Sequence, residues 1–317
     1  MKKNVLGRTG IEVTELCFGA LPMGPLQKNL SVEECTELLV AALDGGINFI
    51  DTAQVYRTYD PIRKALKKVQ NRPVIATKSM ATSYEEMQKA VDEALEAMDI
   101  AYIDIFHLHA PKAETNVLEE RKGAFQCLLD NKEKGKIRAV GISTHSVPVT
   151  ALAAEVEEID VVFPIINMYG RGIIQGTADE MKDAIGVCIS KGKGVYFMKA
   201  LAGGSLVGHY HDAMSYVRSI PGYTSIALGM VSLQEVAFNI KYFSTETFNM
   251  DSLPTFKTFK KQFRILHRQC KACGTCMSIC PNEAIIEEGG KFYIQDQNCL
   301  QCGYCVGECP EFAIRII

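Results

Sequence analysis

Eight of the twelve cysteines in this chain crowd into its last fifty or so residues, and their spacing leaves few folds open to that segment. Residues 270–281 read Cys270-Lys-Ala-Cys273-Gly-Thr-Cys276-Met-Ser-Ile-Cys280-Pro281. Residues 299–310 repeat the pattern as Cys299-Leu-Gln-Cys302-Gly-Tyr-Cys305-Val-Gly-Glu-Cys309-Pro310, and Ala-Ile follows each copy at the same offset (Ala284-Ile285, Ala313-Ile314). A tight loop with a thiolate at every third position can wrap three corners of one iron–sulfur cubane, whereas the fourth cysteine, followed by proline, has turned away from it. Zinc sites take their ligands as two pairs, not as triplets with a trailing Cys-Pro. Clusters serving only as staples for a segment too small to hold its own core are the blander reading. Two adjacent clusters exceed what a staple requires, which favours electron transfer. The other four cysteines, Cys17, Cys35, Cys127 and Cys188, are scattered through apolar or helical stretches and read as small buried hydrophobes.

The doubled motif resembles that of the two-cluster bacterial ferredoxins. The resemblance implies one [4Fe-4S] cluster on Cys270, Cys273, Cys276 and Cys309, and a second on Cys299, Cys302, Cys305 and Cys280.

The whole chain, 317 residues at 47% apolar content, allows one large domain upstream of this small one. Short apolar runs alternate there with helical patterns, as in βα units around a parallel sheet. The expected strands are Glu15–Gly19, Asn48–Thr52, Val74–Lys78, Ile103–His109, Ala139–Ser143, Val161–Asn167, Val195–Ala200 and Ser225–Gly229. Ser31-x-x-Glu34, Ser83-x-x-Glu86 and Ser232-x-x-Glu235 fit the capping box at helix starts. Eight strands over about 245 residues match a (β/α)8 TIM barrel. An open doubly wound sheet competes, but no G-x-G-x-x-G follows the first strand. The expected architecture is thus α/β: a (β/α)8 TIM barrel over residues 1–245, a linker helix over 246–266, and a small α+β two-cluster ferredoxin-like domain over 267–317. The linker is read from Phe256, Phe259, Phe263 and Leu266 recurring at helical spacing among basic residues, an apolar face suited to packing on the barrel.

In such a barrel, chemistry sits at the carboxyl ends of strands. Those ends offer Asp51, then Tyr56 five residues on, Lys78 and His109. With Leu6-Gly7-Arg8-Thr9-Gly10, Phe49-Ile50-Asp51-Thr52-Ala53-x-x-Tyr56, Ala76-Thr77-Lys78 and Asp104-x-x-x-Leu108-His109, residues 3–243 resemble the aldo/keto reductases. The resemblance implies that Tyr56 supplies a proton to a carbonyl, Lys78 favours tyrosinate, Asp51 holds Lys78, and His109 orients the carbonyl oxygen. His107 faces the same side, but the motif places the family's histidine at 109.

The family's cofactor contacts are less well matched. Gly141-Ile142-Ser143-Thr144 keeps the serine but has threonine for the usual asparagine, Phe163 replaces a glutamine, and Met198-Lys199 stands where a nicotinamide-stacking aromatic is expected. Ser143, Thr144, Lys199, Gly229, Ser232, Gln234 and Asn239 are the expected cofactor contacts. Glu235 stands where NADPH-using members often place arginine, so NADH is favoured over NADPH. Hydride transfer moves two electrons and iron–sulfur clusters pass one, so a flavin or a radical-forming substrate stays open as intermediary.

Formal net charge is −3 with both signs interspersed, which predicts no pull toward nucleic acid or anionic membrane. No membrane span or signal-peptide core is visible, so a soluble cytoplasmic protein is expected. The chain therefore reads as an oxidoreductase acting on a small carbonyl or alcohol and exchanging electrons with an external redox partner protein. The rival reading is a non-catalytic electron-transfer subunit whose barrel is a docking body.

Overall fold

The computed structural model describes residues 1–245, 262–311 and 313–316. Eight parallel strands close a barrel: β3 (Leu16–Gly19), β4 (Phe49–Asp51), β5 (Val74–Ser79), β6 (Ile103–Ala110), β7 (Ile137–Thr144), β8 (Val161–Pro164), β9 (Gly194–Phe197) and β10 (Ser225–Gly229). They pair in chain order and β10 returns to β3. Each lies where the apolar runs place a strand, although β8 stops at Pro164 and β9 at Phe197. These strands read as unbroken apolar runs because helices cover their outer faces while side chains fill the bore.

A short hairpin precedes the barrel, formed by β1 (Lys3–Val5) and β2 (Glu12–Thr14). Its turn packs against the start of β9 so closely that a Cβ on Gly7, at φ +53°, would lie 2.2 Å from the Gly194 nitrogen. The hairpin thereby covers the amino-terminal end of the barrel and leaves the carboxyl end for chemistry. Helices Val32–Asp44 and Tyr84–Met98 open with complete capping boxes from Ser31/Glu34 and Ser83/Glu86, and Thr177/Glu180 adds a third at Ala178–Ser190. At Leu233–Ser244 the box is altered: Ser232 accepts the Glu235 N–H, but the Glu235 carboxylate takes the N–H of Val231.

The cysteine-rich segment forms two antiparallel ribbons. In one, β11 (Phe263–Ile265) pairs with β14 (Ile314–Ile316); in the other, β12 (Ile285–Glu288) pairs with β13 (Lys291–Ile294). The expected linker helix is corrected here, since Phe263–Ile265 is a strand; Phe256 and Phe259 lie outside the described residues. Pairing with a segment some fifty residues downstream decides this, and helical spacing cannot reveal such a partner. Phe263, Ile285, Phe292 and Ile314 make a small core ringed by cysteines.

The segment seats on the carboxyl end of the barrel through a seam of glycines and one leucine. Leu300 is buried in the barrel core, and a Cβ on Gly172 or Gly203 would strike it at 2.7 and 2.5 Å. A Cβ on Gly303 would lie 2.0 Å from the Leu26 carbonyl. These three glycines have φ of +90°, +72° and +81°, a region closed to most side chains. Arg171 reaches across to the carbonyls of Asp296 and Cys299 at 2.9 and 2.8 Å.

Candidate active site and cluster cavities

Strand register gathers Asp51, Lys78 and His109 at one rim, and the short turn Gln54–Tyr56 brings Tyr56 to them. Asp51 ends β4, Lys78 on β5 pairs across to His107 on β6, and His109 pairs with Ser143 on β7. All four are buried; Lys78 is 1% exposed. Lys78 Nζ donates to both Asp51 oxygens, at 2.9 and 2.7 Å, and to the Thr52 carbonyl at 2.8 Å. Burial pushes the Asp51 carboxyl up and the Lys78 ammonium down, and each is the main force opposing the other's neutralisation.

Tyr56 departs from expectation. Lys78 meets it at the ring face, 5.0 Å from the centroid, with its three donors already engaged. Burial foremost, then Tyr304 and Asp51, holds the Tyr56 phenol well above its ordinary value. Burial thus outweighs any pull of Lys78 toward tyrosinate, and the Tyr56 phenol stays protonated at neutral pH.

Below the four lies a layer that sequence reasoning passed over. Tyr196 on β9 donates to Asp51 Oδ1 at 3.0 Å and shares a 2.7 Å hydrogen bond with His107 Nε2. Its ring stacks on Phe163, with centroids 3.9 Å apart. Gly141 makes room for this layer, because a Cβ there would sit 2.2 Å from His107 Nδ1. Tyr196 lies inside the apolar run Val195-Tyr196-Phe197, where an aromatic reads as core, so only its inward alternation could have flagged it.

The second residue missed is Tyr304, from the cysteine-rich segment. It opens the one-turn helix Tyr304–Gly307, between Cys302 and Cys305, and its side chain enters the barrel mouth. Its hydroxyl lies 3.1 Å from His109 Nε2 and 3.5 Å from the Tyr56 hydroxyl. Its ring meets His109 edge-on at 5.8 Å, and Leu26 and Ala53 pack around it. His109 is held far below its ordinary value by burial and then by Lys78, Lys199 and Arg121. The imidazole is neutral, able to accept from one hydroxyl, and its Nδ1 has no partner among the described residues.

The expected nicotinamide contacts are dispersed and largely committed elsewhere. Ser143 and Thr144 are buried, and the Thr144 hydroxyl accepts the Ser146 N–H at 3.1 Å. Lys199, at φ +58°, lies 3.1 Å from His145 Nε2. Asn239 is buried, donating to the Glu235 carbonyl and accepting from Tyr210. Ser232 caps its helix, Gly229 packs on Pro22, and Gln234 is exposed. With Phe163 stacked on Tyr196, these residues fit a nicotinamide dinucleotide poorly.

The cysteines fit iron–sulfur clusters well. One pocket is lined by Cys280, Cys299, Cys302 and Cys305, and another by Cys270, Cys273, Cys276 and Cys309. The two quartets are those that the ferredoxin resemblance implies. Among the described residues no three His, Cys, Asp or Glu side chains converge on a single-ion site. The sequence repeat recurs in the backbone: Ala272 and Gln301, both at φ +53°, turn their N–H groups to Cys270 and Cys299 Sγ at 3.4 Å. Ala284 and Ala313 do likewise to Cys280 and Cys309, at 3.3 and 3.2 Å. Such N–H···S bonds stabilise thiolate ligands and tune cluster potential. Cys273, in the second cavity, is exposed, whereas the first adjoins Tyr304 and the barrel.

Known proteins agree with this division. The aldo/keto reductase family model matches residues 15–216, and the 4Fe-4S dicluster domain model matches residues 263–310. The chain is 28% identical over 215 residues to L-galactose dehydrogenase of Arabidopsis thaliana, covering 63% of this chain and 66% of that protein. It is 27% identical over 200 residues to aldo-keto reductase YhdN of Bacillus subtilis, covering 58% of this chain and 59% of that protein. It therefore spans about two thirds or less of these relatives' length. The aldo-keto reductase AKR11C1 from Bacillus halodurans shares the fold at a TM-score of 0.66 and 20% identity, over 79% of this chain and 93% of that one. Among the described residues no helix is long and apolar enough to cross a membrane. The chain is an oxidoreductase of the aldo/keto reductase family that carries a 4Fe-4S dicluster domain at its C-terminal end.

Proposed function

We propose that the barrel interconverts a small carbonyl compound and its alcohol at Tyr56, while two [4Fe-4S] clusters on the two cysteine quartets carry electrons between that site and an external redox partner. One observation carries this reading: the loop that bears Cys302 and Cys305 of the inner quartet lies directly against the barrel mouth at Tyr56 and His109. Bound in these cavities, the clusters supply electrons singly. The exposed Cys273 puts the outer quartet nearer a partner in solution.

The chain's own residues supply the protons and the shape. Reducing a carbonyl to an alcohol takes two electrons and two protons; Tyr56 holds the proton that goes to the oxygen, and solvent supplies the one that goes to the carbon. His109 orients that oxygen, and Asp51 and Lys78 fix the floor beneath. Tyr196 and His107 brace Asp51 from below.

The test uses the full chain loaded anaerobically with iron and sulfide. About eight irons per chain are expected from two cubanes. After dithionite bleaches the clusters and excess reductant is removed, a productive carbonyl should restore their absorbance, and its alcohol should bleach the oxidised protein. If no carbonyl or alcohol in a broad panel exchanges electrons with the clusters, the coupled function is wrong.

Nicotinamide binding gives a separate expectation. Glu235 stands where a 2′-phosphate partner would be cationic, so titration calorimetry should show weak binding of both dinucleotides and tighter binding of NADH than of NADPH. Tighter NADPH binding would overturn that assignment.

A further inference from the structure

We propose that the Tyr304 phenol occupies the subsite for the substrate's reacting oxygen, so that a residue of the cluster-binding loop determines which substrates the barrel accepts. The proposal rests on the reading of Tyr56 and His109 as the groups that bind that oxygen. An oxygen that takes a proton from Tyr56 and is oriented by His109 must lie within hydrogen-bond reach of both. The Tyr304 oxygen holds such a point, 3.5 Å from one and 3.1 Å from the other. Two oxygens cannot share it, so a substrate bound there displaces the phenol.

The space vacated defines the substrate's chemical class. Tyr304 is 4% exposed, and its ring lies among Leu26, Ala53, Tyr56 and the partly buried Leu21, Val55 and Ile279. What it leaves is a slot for one flat ring, apolar along its sides, with a polar end at Tyr56 and His109. An aryl carbonyl or aryl alcohol of about the size of phenol fits that slot. An apolar ring without oxygen leaves the Tyr56 and His109 groups unpaired, which a buried site tolerates poorly.

The experiment opens the slot by Tyr304→Ala in the cluster-loaded full chain and titrates phenol, benzaldehyde and benzene by calorimetry. Expected are phenol and benzaldehyde binding about tenfold or more tighter than benzene, since a site built for an oxygen rejects the analogue lacking it. Wild type should bind phenol at least about tenfold more weakly than Tyr304→Ala, because its own phenol competes. Adding Tyr56→Phe should cut the preference for phenol over benzene severalfold. Equal binding of phenol and benzene, or a preference indifferent to Tyr56→Phe, would overturn the proposal. Iron content verifies that the variant has folded; Tyr304→Thr, which copies Thr275 of the other loop and also leaves the slot open, is read the same way if the alanine variant loses iron. The two readings fail separately. Phenol binding as expected without turnover of any carbonyl sinks the catalytic reading alone, and Tyr56-dependent turnover without the phenol preference sinks the subsite.

Discussion

Replacing Tyr56 by Phe should lower turnover of every productive carbonyl by about 10²- to 10⁴-fold, the usual worth of a positioned general acid, while leaving iron content unchanged. The phenol is buried and its ordinary pKa is raised, so it stays protonated through neutral pH. Reduction, which needs the acid form, should therefore be flat in pH from neutral into the alkaline range. Alcohol oxidation needs the base form and should climb steadily with pH over the same interval. Tyr56→Phe should remove the rise in the oxidation profile, a signature that mere loss of packing does not produce. Turnover that survives the substitution for all substrates would restore the rival reading of the barrel as a docking body.

Lys78→Met should be the most destabilising single change at the barrel mouth, costing about 3–5 kcal/mol, because it strands a buried carboxylate. Asp51 and Lys78 are each pushed toward neutrality by burial, and each is kept charged mainly by the other. Removing both charges in Asp51→Leu/Lys78→Met should recover much of that loss. What remains would be about 1 kcal/mol each for the Thr52 carbonyl left without its donor and the Tyr196 hydroxyl left without its acceptor. The pH dependence follows from the direction of the Asp51 shift. A carboxyl whose folded pKa is raised contributes most to stability below its unfolded pKa and loses that contribution as pH rises. Without Lys78 the upward shift grows, so the deficit of Lys78→Met should shrink on acidification as Asp51 takes up a proton. Urea denaturation of the cluster-loaded protein at several pH values measures this. A deficit that is constant in pH, or a double variant no more stable than Lys78→Met, would contradict it.

How legible the chain was depended on how local each signal is. The eight barrel strands stood out because each is a short apolar run between helices with their own start signals, as at Ser31 and Ser83. Asp51, Lys78 and His109 were visible because charged and imidazole groups at the ends of apolar strands contradict the pattern around them. The doubled cysteine run was legible in its spacing, and its division into two quartets came from the resemblance to two-cluster ferredoxins. Phe263–Ile265 was misread since its partner strand begins at Ile314, and the hairpin at Lys3–Val5 went unseen since three-residue strands carry almost no periodicity. Tyr196 and Tyr304 were hidden for opposite reasons. One passes for core in an apolar run, and the other passes for spacer inside a metal-binding motif.

The duplicated loops differ at the position after their glycine: Cys273-Gly274-Thr275-Cys276 in one copy, Cys302-Gly303-Tyr304-Cys305 in the other. Their backbones match, with Gly274 at φ +78° and Gly303 at φ +81°. A domain built as a near-twofold could dock on the barrel in two ways, exchanging inner and outer cysteine quartets. Only one copy carries a side chain long enough to reach Tyr56 and His109; the reversed seating would offer Thr275 and leave that space unfilled. A single aromatic therefore breaks the pseudosymmetry and sets which cysteine quartet faces the barrel.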